Sequence, residues 1–427
     1  MAVTPTTFEG YLKYIEGALQ DTLPNFAVLQ RAFPFDTAKR VGRKFIYPVV
    51  LRGPQGFTYA RTGTASKTAY TLNDPVTAET QEAELEGSEM TLQEDIAIGM
   101  LKAAQNPDAS YAPIVPKTLQ LMREACQFRL ELELLYGRYS YGIGAVESVV
   151  DGGAGTCTVV ISRATWAGGI WARMENAYID VYDDDGDPIR NAATIQVTGV
   201  DPATRTLTLT GTEAELDTIV AGDIIVPRGW AGATYVAAGT SSNCFHGLAK
   251  TLGHTSGDLH SIDASSYSMW KGNRASAGSA KATLKKLLDV DGYAAARGAT
   301  EDMESYLNNF VWNDIANDAM LLRQLGQESR REVELGTDKI TFIANGRKLS
   351  LVPHPMVMSG HILSCTPSAF KRVGESDLVS LWDAQDMMHL ESKNAVRFRN
   401  FSSQCLVPLE GPSRGHELYD VVPEGLA

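Results

Sequence analysis

The chain has 427 residues, with 38 Lys+Arg against 51 Asp+Glu and a formal charge of −13. Hydrophobic residues make up 44% and charged residues 21%, which excludes wholesale disorder and suits two or three compact units of roughly 150 residues each. No run of about 18 apolar residues occurs, so no transmembrane helix is expected. MAVTPTTFEG lacks the basic-then-apolar pattern of a signal peptide. Neither terminus has the basic arm that electrostatic nucleic-acid binding requires. Five scattered cysteines, Cys126, Cys157, Cys244, Cys365 and Cys405, fit reduced thiols better than a disulfide framework.

In TFEGYLKYIEGALQ, Phe8, Leu12, Ile15 and Leu19 share one helical stripe that ends before Pro24. Its polar face mixes Lys13 with Glu9 and Glu16, which suits docking on protein more than on a membrane. In residues 42–70, Phe45, Tyr47, Val49 and Leu51 alternate as a strand. Gly53-Pro54-Gln55-Gly56 then turns the chain, and Phe57 and Tyr59 begin a second strand. Pro48 has no N–H to donate, so the first strand is expected at an edge or standing free. Residues 62–69, rich in Gly, Thr, Ser and Ala, read as a loop.

Charge is segregated along this stretch. Lys39, Arg40, Arg43, Lys44, Arg52, Arg61 and Lys67 are interrupted by no acid. Asp74, Glu79, Glu82, Glu84, Glu86, Glu89, Glu94 and Asp95 follow with no Lys or Arg between them. Either the two arms face each other within one chain, or the basic arm lies across the acidic segment of another subunit.

VPKTLQLMREACQFRLELELLYG (115–137) carries the strongest helix signal, with Leu119, Met122, Cys126, Leu130 and Leu134 at helical spacing. Pro116 suits its first turn and Gly137 its C-cap, over roughly 30 Å. From about 145 to 240 short β runs take over: 156–162, a hairpin at 194–211 turning on Asp201-Pro202, and 223–229. Helices are expected near 279–289 and within 310–326, two or three strands around the Asn345-Gly346 turn in 339–367, and a strand at 395–408. The class is α+β.

No catalytic constellation emerges. Setting Gly186 at position 6 of a calcium loop puts Asp183 and Asp185 correctly but Val181 at 1 and Ala192 at 12, so DVYDDDGDPIRN reads as an acidic turn. Cys244, His246, His254 and His260 match no zinc spacing and read as solvated or hydrogen-bonded loop residues. GTASKT (63–68) lacks the second glycine of a phosphate loop, and Ser256 lacks the Gly-x-Ser-x-Gly register. His354, between two prolines, reads as loop structure. No enzyme, cofactor or metal site is expected.

The order of parts is nonetheless distinctive. A basic hairpin, GRKFIYPVVLRGPQGFTYA, is followed by an acidic return, AELEGSEMTLQEDI, and a spine helix ending in LELELLYG. After the β-rich middle come GLAKTLGHTSGDLHSIDASSYSMWKG (247–272) and ITFIANGRKLSLVPHP. Over nearly the whole chain this resembles the major capsid protein of tailed bacteriophages, with its Hong Kong 97-type fold. Gly247, Leu248, His260, Ile262, Tyr267 and Trp270 carry the most specific part of the match, with the LYG that ends the spine helix.

The resemblance implies an N-terminal arm (1–40), an extension loop (41–82) reaching over a neighbouring subunit, and a peripheral domain (83–144, completed by 390–427). It further implies an inserted β-rich module (145–245) and a mainly axial domain (246–390). Assembly contacts would come from Arg43, Lys44, Arg52, Arg61 and Lys67 on the loop, and from Glu79, Glu82, Glu84, Glu86, Glu89 and Glu94 on the acidic segment. Some family members crosslink through a lysine on this loop, where Lys67 stands. The implied function is a shell subunit forming hexamers and pentamers around double-stranded DNA held without sequence-specific contacts. Implied partners are further copies of itself, a portal protein, a separate scaffolding protein and a decoration or cement protein. No membrane is involved, and the implied location is the virion, after the host cytoplasm. The rivals are a host nanocompartment shell, a metal-dependent hydrolase using the 244–260 histidines, and a tail or decoration protein.

Overall fold

The computed structural model describes residues 27–38, 44–60, 70–99, 114–186, 188–191, 194–232, 234–235, 242–316, 340–381, 388–389 and 394–426. The stripe from Phe8 to Leu19, the loop 62–69, and Lys39, Arg40, Arg43, Arg61 and Lys67 lie outside these residues.

The long helix forms at Ile114–Tyr136. Met122 and Cys126 are buried on its stripe, and Met122 packs with Ile96, Val396 and Phe398. Its last turns are enclosed on all sides: Leu132, Leu134, Leu135 and Tyr136 are fully buried, and so are Glu131 and Glu133. The helix crosses a five-stranded sheet centred on Ala395–Pro408, the strand expected there. Ser88–Ala97 runs antiparallel along one edge of that strand, and Phe370–Leu381 with Met388–His389 runs along the other. Phe35–Thr37 adds parallel to Phe370–Leu381.

Gly137 ends the helix for a reason other than the expected left-handed turn. A Cβ there would lie 2.1 Å from the Phe245 carbonyl oxygen, and the Gly247 amide donates to Gly137 O at 2.8 Å. The left-handed residue is Arg138, at φ 55°. The helix end and residues 245–247 therefore pack backbone against backbone, which only glycine permits.

The β runs of the middle region close into a six-stranded antiparallel barrel. Round the wall the order is Gly144–Gly153, Thr156–Ile161, Thr206–Thr210, Ile195–Asp201, Tyr178–Tyr182 and Ile224–Pro227, with Ile224 paired to both Ala145 and Tyr182. Alternation makes this wall: Val159, Ile161, Val197, Leu207 and Leu209 are fully buried, while intervening threonines face outward. Closure leaves no unpaired strand edge. The Asp201-Pro202 turn forms as expected, with Asp201 accepting from the Ala203 amide at 3.0 Å and from Thr204 Oγ1 at 2.7 Å. Asp183–Gly186 is an acidic turn, closed by the Gly186 amide on Asp183 O.

A second, mixed sheet has the order Asn273–Ala280, Gly415–Val421, Ile362–Cys365, Met303–Leu307, Arg347–Pro353 and Ile340–Ala344. The helix expected at 279–289 starts later, at Leu284–Ala296, with Thr283 as its cap, because 273–280 pairs in parallel with Gly415–Val421. Leu287, Val290 and Ala294 pack on Leu349, Leu351, Ile362 and Leu418. The Asn345-Gly346 turn takes positive φ at both residues, 49° and 80°, as a two-residue hairpin demands. The helix expected within 310–326 is present at Asn309–Ala316, and residues 317–326 lie outside the described part.

Candidate assembly surface

Lys44–Arg52 and Glu79–Glu86 form a two-stranded antiparallel sheet. The second strand is therefore the acidic one and does not begin at Phe57. Residues 53–60 and 70–78 lie outside any strand, linked by Gln55 N to Val76 O at 3.2 Å and Asn73 Nδ2 to Phe57 O at 2.7 Å. Two aromatic side chains with nothing to cover them cannot hold a strand, and Phe57 and Tyr59 are 62% and 91% exposed. Pro48 sits opposite Glu82 on a strand with one partner, where a missing donor is tolerated.

The register brings the segregated charges together within the chain. Lys44 Nζ lies 2.5 Å from Glu84 and Arg52 Nη1 3.0 Å from Glu79, while Glu86 is met from outside the hairpin, by Arg138 Nη2 at 2.9 Å. The Glu84 partner raises the Lys44 pKa, and Lys44 with Ser261 lowers that of Glu84. Contacts of these residues with another subunit would exchange with, or add to, pairs already made. Glu82 is exposed. Glu89 and Glu94 lie on Ser88–Ala97 opposite Ser403 and Phe398, and burial raises the Glu94 pKa.

The root of the hairpin is anchored. Leu51 and Ala83 are buried with Leu259, Ile262, Tyr267 and Trp270, while Phe45 and Leu85 join the main core. Tyr47 Oη donates to Pro408 O at 2.9 Å, and the Glu84 amide to His260 O at 3.0 Å. The far part is uncovered: Val50, Phe57, Tyr59, Tyr70, Leu72 and Val76 are all more than half exposed. Large apolar side chains gathered on one exposed segment mark a contact surface.

The histidines do not converge on a metal site. His260 is buried at φ 55° with neither ring nitrogen hydrogen-bonded, and the His246 ring meets it edge-on at 4.8 Å. Burial pushes His260 down to about 3, and Arg138 and His254 add to it; burial and His260 hold His246 well below the usual range. His254 does bond, to Gly257 O at 3.0 Å, but His260 is a core residue and not the solvated one expected. Arg138 and Lys250 beside these rings disfavour a cation. Among the described residues, no group of three metal-ligating side chains includes these histidines. All five thiols are free and buried, with pKa values raised by burial.

Three buried carboxylates that sequence reasoning passed over tie the parts together. Glu131 accepts from the amides of Val28, Leu29 and Gln30 and lies 3.0 Å from His354 Nε2, so His354 is a fixed core residue, not loose loop. Glu133 accepts from the Phe245 amide at 3.0 Å, and burial pushes its pKa up to about 7. Glu417 joins Tyr139 beyond the helix to His361 and Arg274, at 3.0, 2.9 and 2.8 Å. The signal for the first two was present in LELELLY, where carboxylates interrupt a helix end that is otherwise apolar.

No protein-family model matches the chain, and no curated protein matches it. Among solved structures, the capsid asymmetric unit of cyanophage A-1(L) aligns over 96% of this chain and 96% of that one, at 8% identity and a TM-score of 0.55. Mycobacterium phage Adephagia aligns over 96% and 94%, at 11% identity and a TM-score of 0.47. An encapsulin of Synechococcus elongatus PCC 7942 aligns over 95% and 92%, at 10% identity and 0.42. Over the aligned 96% of its length, the chain has the fold of a phage capsid protein.

Proposed function

We propose that this chain is the structural subunit of an icosahedral phage head, of the Hong Kong 97 type, assembling as hexamers and pentamers around double-stranded DNA. The observation that carries the reading is full-length agreement in fold with a cyanophage capsid chain, at a TM-score of 0.55. The hairpin supports it: an anchored root and an uncovered apolar tip suit a segment whose remaining contacts lie on a neighbouring subunit. In this reading the barrel is the inserted module, the sheet around Ala395–Pro408 with the spine helix is the peripheral domain, and the mixed sheet is the axial domain. The role is structural rather than catalytic. Portal, scaffolding and decoration proteins are the partners to look for, and the virion is the location, after the host cytoplasm.

The test is deletion of residues 53–68. A folded, soluble subunit that no longer closes into particles is expected, and normal particles from the deletion would refute the role given to the hairpin. DNA inside native particles distinguishes a head from a host nanocompartment, which would hold protein.

A further inference from the structure

A cavity of about 190 Å³ lies where the turn after the spine helix, the short helix Leu248–Leu252 and the mixed sheet meet. Its lining includes Ser140 of the turn, Lys250 of the helix, Thr255 and Ser256 just beyond it, and Arg274 and Glu417 of the sheet. The charge of Glu417 is already matched. Its Oε1 accepts from Tyr139 Oη at 3.0 Å, and its Oε2 lies 2.8 Å from Arg274 Nε. Lys250 is not matched. It is half-buried, no acid among the described residues pairs with it, and burial together with Arg138 lowers its pKa. Lys44 and Lys371, by contrast, each sit 2.5 Å from a carboxylate. The hydroxyls of Ser140, Thr255 and Ser256 hold no hydrogen bond among the described residues, and Ser140 and Ser256 are exposed. A Cβ on Gly253 would lie 2.4 Å from Glu417 Oε2, at a φ of −79° that any residue adopts. Glycine is there for close approach, not for a turn.

We infer that this cavity is a binding site for a phosphate-sized oxyanion, held by Lys250 and Arg274 with the hydroxyls of Ser140, Thr255 and Ser256. The donor set selects the ligand. An ammonium brings three donors on a compact charge, a guanidinium with Nε turned to Glu417 keeps its Nη donors, and each hydroxyl adds one. Donors supplied from a turn, a helix and a sheet suit a tetrahedral acceptor better than a carboxylate, whose oxygens lie in one plane. The volume is below the roughly 300 Å³ at which sites for drug-sized ligands begin, so the guest is a small ion. A phosphate of a nucleic-acid backbone brings its sugars with it, which a cavity of this size does not admit, so the source is free phosphate. Bound there, the ion bridges the short helix to the mixed sheet through Lys250 and Arg274. The inference does not depend on the shell-subunit reading.

The probe is inorganic phosphate, titrated into the full-length, unassembled chain by calorimetry, with thermal melting in phosphate and in chloride of equal ionic strength. Saturable one-to-one binding is expected, and a melting temperature that rises with phosphate, as for any ligand of the folded state. Lys250→Met should weaken binding about tenfold or more. Ser256→Asp should do the same, because a charge added at this exposed position repels the ion without disturbing the core. Phosphate also stabilises proteins in general, by exclusion from their surfaces. An equal rise in the unmodified protein and both variants would therefore overturn the inference, and so would the absence of saturable binding to the unmodified protein. If Lys250→Met is insoluble, Ser256→Asp decides alone. Release of bound phosphate by a short DNA duplex would overturn the assignment to the free ion.

Discussion

Arg347 and Asp291 show what burial of charge demands at the level of single residues. Both are essentially inaccessible, 2.5 Å apart, and Asp291 also accepts from Asn345 Nδ2 at 2.8 Å. Arg347→Met would leave Asp291 buried without its cation, so we expect a loss of roughly 3–5 kcal/mol in denaturant unfolding of the unassembled subunit. Gly137 makes a different demand. The Cβ of alanine would sit 2.1 Å from a backbone oxygen that cannot swing aside as a side chain would. Gly137→Ala should therefore cost about 3 kcal/mol or more by the same measurement. An alanine variant as stable as the parent would mean that the helix end and residues 245–247 are not in contact.

Among the elements, the hairpin and the turn beneath it are coupled through His260. Its backbone oxygen holds the Glu84 amide, while its neutral ring lies against His246, with Arg138 and His254 contributing positive potential. The folded pKa of about 3 is below the unfolded value of 6.5, so folding favours the neutral ring. This stability is fully present above pH 6.5 and is lost as pH falls from there towards 3, on the order of a few kcal/mol. His260→Asn, which tolerates positive φ, should flatten the acid limb of the stability–pH curve; an unchanged limb would contradict the burial of the ring.

Elements with a strong internal period were legible in the sequence: the spine helix, the Asp201-Pro202 hairpin, the strands about Asn345-Gly346 and the strand 395–408. The second hairpin strand was misplaced at Phe57 because aromatic alternation carries no information about what will cover it. The charge segregation pointed to Glu79–Glu86, where the partner lies. The helix start at Leu284 was missed because the preceding strand exists only through parallel pairing with residues 415–421, far away in the chain. The bonds of Glu131 and Glu417 join residues more than 50 apart, and the His260 ring meets His246 only once the chain has folded, so neither is within reach of spacing arguments.

At the scale of the whole molecule, two sheets and a closed barrel share one long helix. Glu417 and Glu131 fasten that helix region to the mixed sheet and to His354. Such a body can hold its shape while the hairpin tip, uncovered in the single chain, finds its cover elsewhere. No described helix is long and apolar enough to cross a membrane. The most direct measurement is negative-stain electron microscopy of the purified full-length chain, with sedimentation of the same sample across protein concentration and salt. Closed shells, tubes, or rings of five and six subunits are predicted. A monodisperse monomer under every condition, including co-expression with a scaffolding protein from the same genome, would contradict the account.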